Sequence, residues 1–173
     1  MAEVRVLRRA DDRSRFRSGN ADLDRFFARY AGQNQFRHHI GVTYVAVEQA
    51  DIVGFANVAA SQVEIADLPE DDRRRFPRYP LPVLRLARLA VDERVRGQGV
   101  GRVLLRTVFA LAHEMSRTVG CVGVVVDAKA GAVSFYERLG FRATPPRGGA
   151  LGDRPEPLPM YLHLSAVPRP NGP

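Results

Sequence analysis

The chain of 173 residues holds a single lysine, Lys129, a single cysteine, Cys121, and no apolar run of membrane-spanning length. Each scarcity removes a class of function. The phosphate loop of nucleoside triphosphatases requires Gly-Lys-Ser/Thr, whereas Lys129 follows Ala128, so that loop is excluded. One cysteine permits no internal disulfide, and Cys121 lies in an apolar stretch, where it reads as core packing. Met1–Arg9 lacks the apolar centre of a signal peptide. Together these features predict a cytoplasmic protein without membrane contact. His38 and His39 are adjacent, with no cysteine or suitably spaced histidine to complete a site, so no metal is expected.

Arginine is abundant instead, and it supplies nearly all of the net charge of +7. The arginines cluster: Arg5, Arg8, Arg9, Arg13, Arg15 and Arg17 near the start, then Arg73, Arg74, Arg75 and Arg78. Two readings stay open for these clusters. They form a surface that attracts polyanions by releasing counterions, or they are solvated side chains that reflect arginine-rich coding and help recruit an anionic cofactor. With 45% apolar residues the chain has enough material for one substantial core.

The densest signal is Arg94-Val95-Arg96-Gly97-Gln98-Gly99-Val100-Gly101-Arg102. Leu84–Asp92 before it reads as a strand. After it, Val100, Leu104, Val108, Leu111 and Met115 recur at helical spacing. A turn with glycine at alternate positions therefore leads into a helix start, where unpaired N–H groups and the helix dipole favour an anion. Gly97, Gly99 and Gly101 let phosphate oxygens approach the main chain, and Arg94, Arg96 and Arg102 add charge. The dinucleotide fingerprint fails, because its third glycine would fall on Arg102 and no strand with a matching acid follows. The pattern Arg/Gln-x-x-Gly-x-Gly/Ala is met by Arg96, Gly99 and Gly101.

On that motif the chain resembles the GNAT superfamily of acetyl-CoA-dependent N-acetyltransferases. Phe135-Tyr136-Glu137-Arg138-Leu139-Gly140-Phe141 resembles the same family's late Phe-Tyr-Glu-x-x-Gly-Phe segment. The resemblance implies an α/β, single-domain GNAT fold over 1–167, while the tail over 168–173 reads from its own residues as disordered. It also implies a mixed, mostly antiparallel central sheet flanked by helices, with splayed central strands. Leu89, Ala90 and Val91 would then bond the pantetheine arm of acetyl-CoA. The amides of Arg96, Gly97, Gln98, Gly99, Val100, Gly101 and Arg102 would hold its pyrophosphate. Tyr136 would protonate the departing sulfur, unless it merely packs beside Phe135. Lys129 stands where many members carry asparagine.

The rest of the chain alternates. Val4–Leu7 reads as a strand, and Asn20 as the N-cap of a helix with an apolar stripe of Leu23, Phe26, Phe27 and Tyr30, ending at Gly32. Val42–Val47 and Ile52–Ala60 form a hairpin turning near Asp51. Asp67–Pro82 reads as an exposed loop with at most a short helical turn. A helix to Gly120, a strand over Cys121–Val126 and a helix to Gly140 follow. Pro145–Pro159 reads as a loop, longer than is usual among the relatives named next, and Met160–Leu164 as the last strand.

A narrower resemblance, carried by Ser18–Asp24, Gln33–Gln35, Thr43–Ala46 and Pro82–Asp92, is to the GNAT toxins of bacterial toxin–antitoxin modules. It implies acetylation of the α-amine of aminoacyl-tRNA, a small ribbon-helix-helix antitoxin as partner, and a homodimer. Arg37 and Arg88 are candidate contacts for tRNA phosphates. No general base stands out. Glu64, at a strand end, is the one candidate, and an exposed surface residue is the plain alternative. An α-amine (pKa about 7.7–8.0) needs far less help than a lysine amine (about 10.4). Two other readings remain: a GNAT enzyme acetylating a small amine, antibiotic or protein N-terminus, and a CoA-binding regulatory protein without turnover.

Overall fold

The computed structural model describes residues 1–144 and 157–170. Seven strands hydrogen-bond in the order β1-β2-β3-β4-β5-β7-β6: Glu3–Val6, Val42–Glu48, Asp51–Val63, Leu81–Val91, Gly123–Ala128, Arg142–Ala143 and Leu158–His163 are β1 to β7 in chain order. The chain packs as two compact units that exchange segments, Met1–Ala59 with Leu86–Val108, and Ala60–Arg85 with Phe109–Pro173.

In the first unit, β1 pairs antiparallel with β2, and β2 with β3. The hairpin turn places Gln49 and Ala50 at φ of 49° and 69°, the left-handed geometry that suits a two-residue turn between twisted strands. Helix α1 runs over 21–38, alternating α segments with π segments at Phe26–Tyr30 and Asn34–His38. Asn20 caps it as expected, its side chain accepting from the Leu23 amide at 3.0 Å. Gly32 does not end it. There the missing side chain leaves room for Arg13, whose Nη1 donates to the Phe27 carbonyl at 2.8 Å. The helix stops at His39, which takes φ 55°. Phe26 and Phe27 enter the core, but Tyr30 is exposed, because the π segment breaks the 3.6-residue register on which the stripe was drawn. Phe27 stacks on Phe55 at 4.5 Å, and Phe16 meets both rings edge-on, so one aromatic cluster anchors α1 to β3.

The second unit is built around Leu68, Leu81, Val83, Val125 and Tyr161. Asp67–Pro82 is not a wholly exposed loop: Leu68 and Asp72 are buried, α2 occupies Glu70–Arg73, and β4 already begins at Leu81. Proline is tolerated at Pro82 because it lies near the strand start and needs only its carbonyl, which accepts from Val122 N at 2.9 Å. Helix α3, Val100–Thr118, passes through both units and ends where Gly120 takes φ 103° and donates to the Met115 carbonyl. Its buried positions include Val100, Leu104, Leu105, Val108, Phe109 and Ala112, whereas Leu111 and Met115 are only half-buried. The predicted stripe thus holds at Val100, Leu104 and Val108 and moves by one position beyond them, to Ala112. Helix α4 is Val133–Arg138, and β7 pairs antiparallel with both β5 and β6. The short β6 was not anticipated, and β7 starts at Leu158, inside the segment read as loop; 145–156 lies outside the described residues. Buried His113 donates from Nε2 to the Val167 carbonyl at 2.8 Å, pinning the end of the unit. Pro168–Pro170 forms no regular element, and 171–173 lies outside the described residues.

Candidate functional site

The glycine turn in the first unit is set by its neighbours on both sides. Strand β4 ends at Val91, and Asp92 caps a tight helical turn over Glu93–Val95. Gly97 and Gly99 follow at φ of 80° and 86°, a conformation that any other residue adopts only under strain. A Cβ at either position would meet nothing within 4 Å, so this stretch of main chain faces open space. Two amides of the turn are already used: Arg96 N donates to Glu93 O at 3.4 Å and Gln98 N to Val95 O at 3.2 Å. The N–H groups of Gly97, Gly99, Val100, Gly101 and Arg102 donate to no backbone carbonyl among the described residues. Five unpaired donors thus lie at the positive end of α3, a donor set whose chemistry suits an anion such as a diphosphate.

Gly54, which sequence reasoning passed over, positions this turn. A Cβ on Gly54 would lie 2.9 Å from Val100 Cγ1, 3.0 Å from Leu104 Cδ1 and 3.1 Å from the Ala90 carbonyl. The first turn of α3 can therefore pack directly on β3. The available signal was a glycine inside a strand pattern, which marks close approach of another backbone.

The arginines of the turn correct an expectation. Arg94 does not add free charge: Nε and Nη2 donate to the two oxygens of Asp92 at 2.9 and 3.1 Å, and Asp51 lies at 3.6 Å. Asp92 is 1% exposed and also accepts from the amides of Arg94 and Arg17. Burial pushes its carboxyl upward, but the bonds from Arg94 and from the two amides outweigh that and hold it below the usual range. Arg96 is a brace, its Nη2 donating to the Ser18 carbonyl at 2.6 Å beside Gly19. Arg102 is exposed, with no carboxylate partner among the described residues. Of the three, Arg102 is the one whose side chain makes no hydrogen bond or ion pair among the described residues.

The other candidates are scattered. Leu89, Ala90 and Val91 form the last turn-ward stretch of β4, with Ala90 buried in the aromatic core and its neighbours half-buried. Arg37 is exposed on the last segment of α1. Arg88 lies half-buried over the Phe26 ring, 3.7 Å from its centroid. In the second unit, Glu64 is exposed just beyond β3, and its carbonyl accepts from Asp67 N. Lys129 is exposed ahead of α4, its carbonyl accepting from Ala132 N at 2.8 Å. Cys121 is buried, and burial pushes its thiol up, which suits an inert core residue. No group of three histidines, cysteines or carboxylates converges among the described residues.

Tyr136 is 5% exposed, with Phe135 and Phe141 edge-on at 5.2 and 5.3 Å. Burial pushes its phenol up to about 12. Its hydroxyl makes no hydrogen bond and is not a sealed, unpartnered atom, so the tip reaches solvent while the ring is packed. A rigid, protonated donor results. The same unit holds a cavity of about 210 Å³ lined by Val63, Val125, Val126, Pro159 and Met160 as its apolar wall and by Gln62, Asp67, Arg85, Asp127 and Thr144 as polar groups. Arg85 Nη1 donates to Asp127 Oδ2 at 3.0 Å, so that carboxylate is engaged. Neither Glu64 nor Asp127 is placed as an evident free base.

Residues 39–143 match the model of the acetyltransferase (GNAT) domain family. The chain belongs to the GNAT acetyltransferase family. This GNAT chain is 33% identical, over 137 residues, to a tRNA-acetylating toxin of Mycobacterium tuberculosis (strain ATCC 25618 / H37Rv), covering 79% of its own length and 81% of the relative's. Its GNAT fold also superposes on AtaT complexed with acetyl-methionyl-tRNAfMet, with TM-score 0.81 at 24% identity over 96% of this chain and 97% of AtaT. A third match is a tyrosine-to-phenylalanine variant of AtaT bound to the C-terminus of the antitoxin AtaR and acetyl-CoA, with TM-score 0.75 at 22% identity over 96% of each chain. Among the described residues no helix is long and apolar enough to cross a membrane.

Proposed function

We propose that this GNAT acetyltransferase moves the acetyl group of acetyl-CoA onto the α-amine of aminoacyl-tRNA, acting in the cytoplasm as the toxin of a toxin–antitoxin pair. The observation that carries the donor half is the open turn with five uncommitted amides at the start of α3. The acceptor half rests on the 33% identity to a tRNA-acetylating toxin. A ribbon-helix-helix antitoxin as partner, and assembly as a homodimer, belong to the same reading.

The residues divide the work by chemistry. Gly97, Gly99, Val100, Gly101 and Arg102 offer main-chain donors to the diphosphate, and the Arg102 side chain adds charge. Leu89, Ala90 and Val91 supply the strand that positions the pantetheine arm and stabilises negative charge developing on the carbonyl oxygen. Bound acetyl-CoA supplies the activated thioester. Tyr136, whose phenol burial pushes up to about 12, stays protonated at neutral pH and so holds a proton for the departing sulfur. Among the described residues neither Glu64 nor Asp127 is placed as a base, which suits an acceptor α-amine, since roughly a tenth of it is already uncharged at pH 7 against less than about a thousandth of a lysine amine.

Incubation with labelled acetyl-CoA and bulk aminoacyl-tRNA tests the reading directly: label on the charged RNA is expected. Transfer to small amines or protein N-termini with none to charged RNA would reject it in favour of a general GNAT enzyme. Replacing Tyr136 by Phe is expected to lower kcat by about 10²–10⁴-fold while acetyl-CoA affinity and melting temperature stay unchanged. An unchanged kcat would reduce Tyr136 to a packing residue. If neither form transfers acetyl to any amine while both bind CoA, the regulatory alternative stands.

A further inference from the structure

The first unit contains a half-buried cation, Arg88, that no carboxylate among the described residues neutralises. The two faces of its sheet can be told apart on β3, where side chains alternate. Gly54 faces α3, since a Cβ there would strike Val100 and Leu104. Phe55 and, two residues on, Asn57 face α1, where Phe55 stacks with Phe27. Arg88 joins that second face. Its Nη1 donates to Asn57 Oδ1 at 3.3 Å, and its Cζ lies over the ring of Phe26 of α1, 3.7 Å from the centroid. Arg88 therefore sits on the opposite side of the sheet from the helix that carries the glycine turn.

Its surroundings are polar, ordered and uncharged. Asn57 Nδ2 donates to Thr43 Oγ1 at 3.2 Å, and Gln35 accepts from the Thr43 amide at 2.8 Å and donates to the Leu7 carbonyl at 3.1 Å. This chain of bonds holds Asn57 with its oxygen toward Arg88. Among the described residues no carboxylate pairs with Arg88, in contrast to Arg5, Arg85 and Arg94. Burial lowers its pKa with no opposing acid. Among the described residues one of its five N–H donors is used, and a partly desolvated guanidinium with donors to spare is a strong, bidentate partner for a phosphate.

We infer that Arg88, held between Phe26 and Asn57, binds a backbone phosphate in the 3′-terminal strand of the acceptor RNA. That the phosphate belongs to RNA rests on the proposed acceptor. Arg88 is then a positioning residue: it fixes where the charged end of the RNA lies without touching the reacting atoms. A ligand on this face does not compete for the amides at the start of α3.

The test compares wild type with Arg88→Gln and Arg88→Lys. Calorimetric titration with the 5′-phosphorylated trinucleotide CCA is expected to show binding to wild type that falls at least tenfold in Arg88→Gln. The slope of log K against log salt should drop by about 0.7, one single-strand phosphate contact. Acetyl-CoA affinity should be equal in all three proteins. In steady-state assays Arg88→Gln should raise KM for aminoacyl-tRNA about tenfold or more with kcat within twofold. Activity on an aminoacyl-adenosine lacking phosphates should be unchanged. Arg88→Lys should recover part of the trinucleotide affinity. Equal trinucleotide binding by wild type and Arg88→Gln, or binding by neither, overturns the assignment. So does a parallel loss on the phosphate-free acceptor or a loss of acetyl-CoA affinity. Competition by inorganic phosphate as strong as by the trinucleotide would make the site one for free phosphate and would also overturn it. If charged tRNA is not acetylated at all while trinucleotide binding still depends on Arg88, the proposed acceptor fails and the phosphate site survives.

Discussion

Two arginine-rich stretches that look alike as text differ in what the fold does with them. Near the N-terminus, Arg5 forks onto Asp11, Arg13 bonds the Phe27 carbonyl, and Arg17 bonds the carbonyls of Ser14 and Phe16. Arg9 lies over Phe36, and Arg15 is 3.5 Å from Asp51. In the stretch around α2, only Arg73 is engaged, through the Leu68 carbonyl; Arg74, Arg75 and Arg78 make no hydrogen bond or ion pair among the described residues. The first stretch, Arg8 apart, is mortar, and the second is available charge. Net charge of +7 therefore overstates the surface that a polyanion can use near residues 5–17. A guanidinium already bonded to internal acceptors gives up those bonds before it can hold a phosphate.

The largest effect expected from this contrast is at Asp92, which gathers Arg94 and the Arg17 amide. Asp92→Ala leaves a buried amide and a guanidinium without their acceptor, a loss on the order of 3 kcal/mol in urea unfolding. The carboxyls of Asp92 and Asp11 are both held below their ordinary value in the folded chain. Their stabilisation is thus complete above the unfolded pKa, about 3.9, and is lost as pH falls through the folded values. Wild type should weaken below about pH 4, and the Asp92→Asn curve should be flatter. A stability of Asp92→Ala within experimental error of wild type would break the idea that this arginine group is structural.

A smaller effect is expected at Arg5. Its pair with Asp11 is only partly exposed and forked, so Arg5→Ala should cost about 1 kcal/mol, with tRNA affinity unchanged at matched folding. Smallest in stability, and most telling in binding, is the triple change of Arg74, Arg75 and Arg78 to Ser. Unfolding should shift by less than about 0.5 kcal/mol per position. The salt slope for tRNA binding should nonetheless fall by about two to three, each phosphate contact counting for nearly one. If Arg5→Ala lowers that slope as much as the triple variant does, the division between mortar and available charge is wrong.

Much of the fold was legible because its signals are local. Asn20 is a cap wherever a helix follows it, and Gly97 and Gly99 turn the chain between strand and helix by their own φ values. The hairpin and the helix after the glycine turn follow from periodicity alone. The failures are equally physical. Gly32 looked like a stop, yet Arg13, nineteen residues earlier in the chain, fills the space beside it. Leu68 and Asp72 looked exposed within a proline-rich loop, but that loop covers a core whose other members come from β4, β5 and β7.

The order of elements, the glycine turn and the late Phe-Tyr segment could be read from the chain because each depends on residues a few positions apart. Which arginines are free depended on acceptors far away: Ser18 for Arg96, the Arg17 amide for Asp92, Asn57 for Arg88. A hydrogen bond is satisfied by distance in space, and only the folded chain sets that distance.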